Sequence, residues 1–124
     1  MSEPLYDEEE CRPPPSGVYS AKVLKAEIRT SAAGNRYVAC DIQIIQGAQQ
    51  GRLIDSNFHI YAKDSRFRHD SRRRFSKLVK SCGINGSIHD PAEIIDKPFL
   101  MEIDETTDKF GKTNCIIGFE RIKR

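Results

Sequence analysis

The sequence predicts a mainly β domain of five strands with a single helix between the third and fourth. Three observations carry this. Most apolar residues recur with period two, one stretch alone has helical spacing, and glycine and asparagine stand at the joints. In the first strand, Gly17 to Ile28, the segment Val18 to Val23 alternates, Leu24 breaks phase, and Ala26 and Ile28 resume, which predicts a bulge. Ser31 to Asn35, with Gly34-Asn35 tolerant of positive φ, connects to a second strand over Arg36 to Gln46. There Val38, Cys40, Ile42 and Ile44 share one face, and Tyr37, Ala39, Asp41 and Gln43 the other. Gly47 to Gly51 turns the chain into a third strand in which Ile54, Ser56, Phe58 and Ile60 alternate with Asp55, Asn57, His59 and Tyr61.

The helix is expected over Ser71 to Cys82, since Phe75, Leu78, Val79 and Cys82 fall at i, i+3, i+4 and i+7. Asp70 is its expected cap and Gly83 its left-handed end. Asp90 to Ile95 reads as a short helical turn with Pro91 at its first position. Phe99 to Thr106 is the fourth strand, Asp108 to Lys112 a hairpin turn, and Thr113 to Lys123 the fifth strand, with Cys115, Ile117 and Phe119 expected on one face. The order β-β-β-α-β-β is that of a five-stranded OB-type barrel, although other barrels and α+β sheets share the string.

The 124 residues suffice for one domain. Residues 1 to 15 form an acidic, proline-rich tail, expected to be flexible, in which Glu3, Asp7, Glu8, Glu9 and Glu10 face only Arg12. That is a net −4, so residues 16 to 124, the expected OB domain, carry +6 of the chain's total of +2. A basic body with an acidic appendage points to a polyanion partner. The tail is expected to act as a weak lid on the basic surface, or else to dock on a partner through Leu5 and Tyr6. No apolar run approaches the ~18 residues of a membrane span, and Met1 to Glu10 is acidic where a secretory signal is basic and then apolar. A cytoplasmic protein is expected, in a bacterial host, with no membrane partner.

Catalysis finds no support: no phosphate loop, no HExxH, and no nucleophile beside a base. Cys11, Cys40, Cys82 and Cys115 have no zinc-ligand spacing, so neither metal nor cofactor is expected. Cys40 and Cys115 read as small buried hydrophobes. More informative is the basic run Lys63, Arg66, Arg68, Arg72, Arg73 and Arg74, with Phe67 and His69 interleaved, which suits phosphate. Tyr37, His59 and Tyr61 lie on the less apolar sides of strands two and three, where OB domains carry single strands, and aromatic rings there stack on bases. Arg36, Arg52 and Lys63 stand close enough in sequence to track the backbone. Lys109, Phe110 and Lys112 repeat the combination in the turn between strands four and five. The nucleic-acid-binding set is therefore Arg36, Tyr37, Arg52, His59, Tyr61, Lys63, Arg66, Arg68, Lys109, Phe110 and Lys112.

The segments Pro14-Pro15-Ser16-Gly17-Val18-Tyr19, Gly34-Asn35-Arg36-Tyr37, Gly51-Arg52, Leu78 to Gly83 and Asp96-Lys97-Pro98 resemble a family of small phage and prophage proteins. Most members are of unknown function and are regarded as OB-fold single-stranded DNA-binding proteins of recombination or replication modules. The resemblance runs from Pro14 to Ile122. Two features depart from it: the acidic tail is N-terminal where many bacterial single-strand-binding proteins carry theirs at the C-terminus, and Arg72-Arg73-Arg74 is unusually basic, which leaves double-strand contact open. Residues and resemblance together lead to a non-catalytic single-stranded DNA-binding protein, compatible with a homo-oligomer and with a recombinase or replication protein recruited through the tail. The alternative is an OB-like interaction module that recruits such a factor without holding DNA; a metal-dependent nuclease built on Asp55, Asp104 and Asp108 ranks third.

Overall fold

A computed structural model describes residues 14 to 108 and 111 to 122, and the side chains of 14 to 106 and 115 to 122. The acidic tail up to Pro13 and the tip residues Lys109 and Phe110 lie outside the described residues. Five strands, β1 (Gly17–Thr30), β2 (Arg36–Ile44), β3 (Leu53–Phe58), β4 (Phe99–Asp108) and β5 (Gly111–Glu120), form one antiparallel sheet in the order β3-β2-β1-β4-β5. One α-helix, α1 (Ser65–Ser81), and a 3-10 turn (Pro91–Ile94) lie between β3 and β4.

β1 is the hinge of the sheet. Its first residues, Gly17 to Ala21, pair with β4, and Ala21 to Thr30 pair with β2. Within the half paired with β2 the register steps from Val23 opposite Ile42 to Lys25 opposite Asp41, so Leu24 is the bulged residue that its break in phase predicts. The extra residue resets the alternation so that Ala21, Val23 and Ala26 all point into the core, and a bulge bends and twists its strand.

The sheet remains open. Among the described residues no ladder joins β3 to β5, so the OB-type barrel expected from the element order is not completed by backbone pairing. Side chains span the opening instead. Phe58 on β3 stands 6.3 Å from Phe119 on β5, Phe119 stands 5.7 Å from Phe99 on β4, and Phe75 of α1 lies 5.2 Å from Phe58. Phe58, Phe99, Ile42, Ile44, Leu78, Ile94 and Met101 are fully buried around them. The helix thus plugs the gap between the two free edges, packing on both.

Three expectations need correction. The helix begins at Ser65, six residues before the expected Ser71, and its cap is Asp64, whose Oδ1 accepts from the Phe67 N–H at 2.8 Å; Asp70 lies inside it. Apolar periodicity missed the first turns because they are anchored by arginines. Arg68 Nη1 donates to the Ala62 carbonyl at 3.1 Å and Arg72 Nε to the Ile60 carbonyl at 2.9 Å. β3 stops at Phe58, and His59 to Ala62 turn away, closed by Ala62 N–H to His59 O. In β5 the register skips Ile117, so Ile116 and Phe119 pack on the core while Cys115 and Ile117 are exposed, against the single face expected for Cys115, Ile117 and Phe119.

Elsewhere the local chemistry acts as read. Gly83 takes φ 85° just past the helix and donates to the Lys80 carbonyl. Asp90 and Glu93 form a reciprocal capping box around Pro91.

Candidate nucleic-acid interface

Period-two alternation gives β2 and β3 an outer face opposite the core, carrying Tyr37, Asp41 and Gln43 on β2 and Leu53, Asp55 and Asn57 on β3. Tyr37 stands near the end of β2 at which β3 finishes. Because β3 ends at Phe58 and the chain turns at once, His59 comes beside Tyr37, with ring centroids 5.4 Å apart. Because Asp64 caps α1 three residues before Phe67, the first helical turn brings that ring back over His59, at 5.3 Å. A ladder Tyr37–His59–Phe67 results, drawn from a strand, a loop and a helix. Beside it the Arg36 guanidinium lies 4.7 Å from the centre of the Tyr61 ring. Tyr61 is 42% exposed and Phe67 51%, so both offer a free ring surface. Arg68 and Arg72 are the staples that hold this loop to the helix, since their guanidinium hydrogen bonds end on its carbonyls.

The middle of the same face is acidic. Asp41 sits directly opposite Asp55 in the β2–β3 ladder, and Lys25 opposite Asp41 in the β1–β2 ladder. Burial, and then the hydrogen bond and charge of Asp41, push the Asp55 carboxyl above its ordinary value, against the pull of Arg29. Arg29 itself is bound to Glu27, whose carboxyl that hydrogen bond holds below its usual range. Two carboxylates thus face each other in the middle of the face, away from its aromatic end.

Four of the expected site residues meet in two pairs, Tyr37 with His59 and Arg36 with Tyr61. Lys63 and Arg66 are exposed next to them, in the loop and the first helical turn. Arg68 is half-buried and serves the loop through its bond to Ala62. Arg52 lies at the other end of β3, roughly 20 Å along the strand, where Nη1 donates to Gln49 Oε1 at 3.1 Å. It is not part of this cluster. Lys109 and Phe110 are outside the described residues, as is the side chain of Lys112 on β5. Phe67 is the member that the sequence left in the basic run; Asp64-Ser65 as a helix start would have placed it. Among the described residues no three His, Cys, Asp or Glu side chains gather as a metal cluster, and no helix is long and apolar enough to cross a membrane.

Compared with known families, residues 6 to 124 match the family described as Protein of unknown function (DUF669). The chain belongs to that family. Among the curated proteins none matches it. DUF669 membership assigns no role to any residue, so the reading of the site rests on its own chemistry.

Proposed function

We propose that this DUF669 protein binds single-stranded DNA without catalysis, in the manner of an OB-type domain and in the setting of phage recombination or replication. The observation that carries the reading is the Tyr37–His59–Phe67 ladder with the Arg36–Tyr61 pair beside it. Exposed rings interleaved with guanidinium groups suit bases and phosphates of an unpaired strand, each stacked base being worth ~1–3 kcal/mol. The strand order supports it too. Brought edge to edge, β3 and β5 give the partly open five-stranded Greek-key barrel whose β2–β3 face and neighbouring loops bind oligonucleotides. The gap between those edges, filled by Phe58, Phe119 and α1, fits that partly open state.

The test is a titration of labelled oligo(dT) with wild type, Tyr37→Ala and Tyr61→Ala. Each substitution should lower affinity roughly 5- to 150-fold, the equivalent of ~1–3 kcal/mol at 25 °C, while the fold survives. Unchanged affinity in both variants would remove the rings from the function.

A further inference from the structure

The aromatic cluster uses only the first turn of α1, and the rest of the helix carries a second feature. Ser65–Ser81 holds Arg66, Arg68, Arg72, Arg73, Arg74, Lys77 and Lys80 against one acid, Asp70. Arg68 and Arg72 are committed to loop carbonyls, and Arg74 lies over the Phe58 ring at 5.4 Å. The face opposite Leu78 and Val79 is different. Arg66, His69, Arg73, Lys77 and Lys80 follow one another at i, i+3, i+7, i+11 and i+14, which places them on one line of the helix. All five are exposed, and among the described residues no ion pair joins any of them. The line is about 21 Å long at 1.5 Å per residue. Its far end opens on a cleft of about 640 Å3 where Arg121 joins Lys77 and Lys80 and which Glu102 and Glu120 also line.

Like charges four residues apart, as at Arg73 and Lys77, disfavour an isolated helix; Asp70, four residues after Arg66 and three before Arg73, offsets this only at the N-terminal end, and a polyanion would relieve the rest. The His69 imidazole is the one ring on this line, because Phe75 packs on the core and Phe67 points to His59. Four cations with a single imidazole among them offer unpaired bases little stacking surface but match a ligand whose bases already stack on one another. From this we infer that the exposed line Arg66–His69–Arg73–Lys77–Lys80 binds the phosphate backbone of duplex DNA, so that the protein seats on a junction between single- and double-stranded DNA. The single-strand half of that junction rests on the function proposed above. The duplex half rests on the helix alone. Phe67, in the turn next to Arg66, is where the two surfaces meet.

The experiment compares oligo(dT), a blunt duplex and the same duplex with a dT tail, using wild type and the triple variant Arg73→Gln, Lys77→Gln, Lys80→Gln. Wild type should hold the tailed duplex at least tenfold tighter than either separate ligand. The triple variant should lose that gain, reduce the salt slope for duplex by about 2–3 at ~0.9 per phosphate, and keep its oligo(dT) affinity within about twofold. The three positions are exposed and glutamine is a good helix former, so the variant's melting temperature should match or exceed that of wild type. Lys77→Glu, a single exposed change, should act in the same direction. Equal affinity of wild type for oligo(dT) and tailed duplex, or a triple variant that weakens both ligands equally, would overturn the inference and leave the single-strand reading intact. Duplex binding that the triple variant abolishes, with no oligo(dT) binding in wild type, would support the helix surface and reject the single-strand reading.

Discussion

Phe67→Ala separates a ring held for binding from a ring held for packing. Phe67 is 51% exposed, and among the described residues its one ring partner is His59, at 5.3 Å. An aromatic pair of this kind contributes ~0.5–1.5 kcal/mol beyond area burial, and the half-exposed position leaves no cavity behind. The backbone N–H that Asp64 caps is retained by alanine, so the helix start is unaffected. Global stability in urea should therefore fall by about 1 kcal/mol or less. Affinity for oligo(dT), followed by fluorescence anisotropy at low salt, should fall by ~1–3 kcal/mol if a base stacks on the free face. His59→Ala should show part of the same loss, and the double variant less than the sum, because the rings form one ladder. A variant that loses several kcal/mol of stability and binds DNA like wild type would make Phe67 a docking residue for the helix and refute the ladder as a binding surface.

Other consequences follow from the core and the outer face. Phe58→Ala removes the fully buried ring that links β3, α1 and β5 and should cost ~3–5 kcal/mol in urea unfolding; a loss below ~1 kcal/mol would mean the opening is held some other way. Asp55 has its folded pKa raised above the unfolded value of about 3.9, so the native state binds more protons just above that pH. Its contribution to stability is lost as pH rises through that window. Asp55→Asn should accordingly gain stability over wild type as pH is raised from 3.5 to 6 and bind oligo(dT) more tightly at pH 7, and a gain that shrinks with rising pH would contradict the assignment. Burial pushes the Cys40 thiol up to about 12 and Cys82 to about 11. Exposed Cys115 should therefore react with a thiol reagent at pH 8 before Cys82, and Cys40 only on unfolding, as mass spectrometry of labelled peptides would show.

Where one apolar face met one core, the sequence was readable. Val38, Cys40, Ile42 and Ile44 alternate and all are buried, and Leu24 breaks phase where the register steps. What escaped was structure made by polar anchoring. The first helical turns have no apolar face, being tied down by Asp64, Arg68 and Arg72, so periodicity placed the start six residues late. The bulge at Ile117 was hidden because Cys115-Ile116-Ile117 is apolar in either phase. For the site, alternation put Tyr37 and His59 on one face, but it carried β3 on to Tyr61 and could not separate Arg52, which shares the strand and stands at its opposite end. Phe67 depended on the helix start and was missed with it.

The most direct measurement of the central claim is the salt dependence of oligo(dT) binding by the whole chain. Arg36, Lys63 and Arg66 border the exposed rings, and two to three phosphate contacts from them give a slope of log K against log salt of about −1.4 to −2.1, at ~0.7 per contact on single strands. Bases stacked on Tyr61 and Phe67 should leave a salt-independent remainder that Tyr61→Ala diminishes. A linear fall with that slope, above a stacking remainder, is the predicted result; the absence of binding at 20 mM salt, or a flat response, would contradict the account.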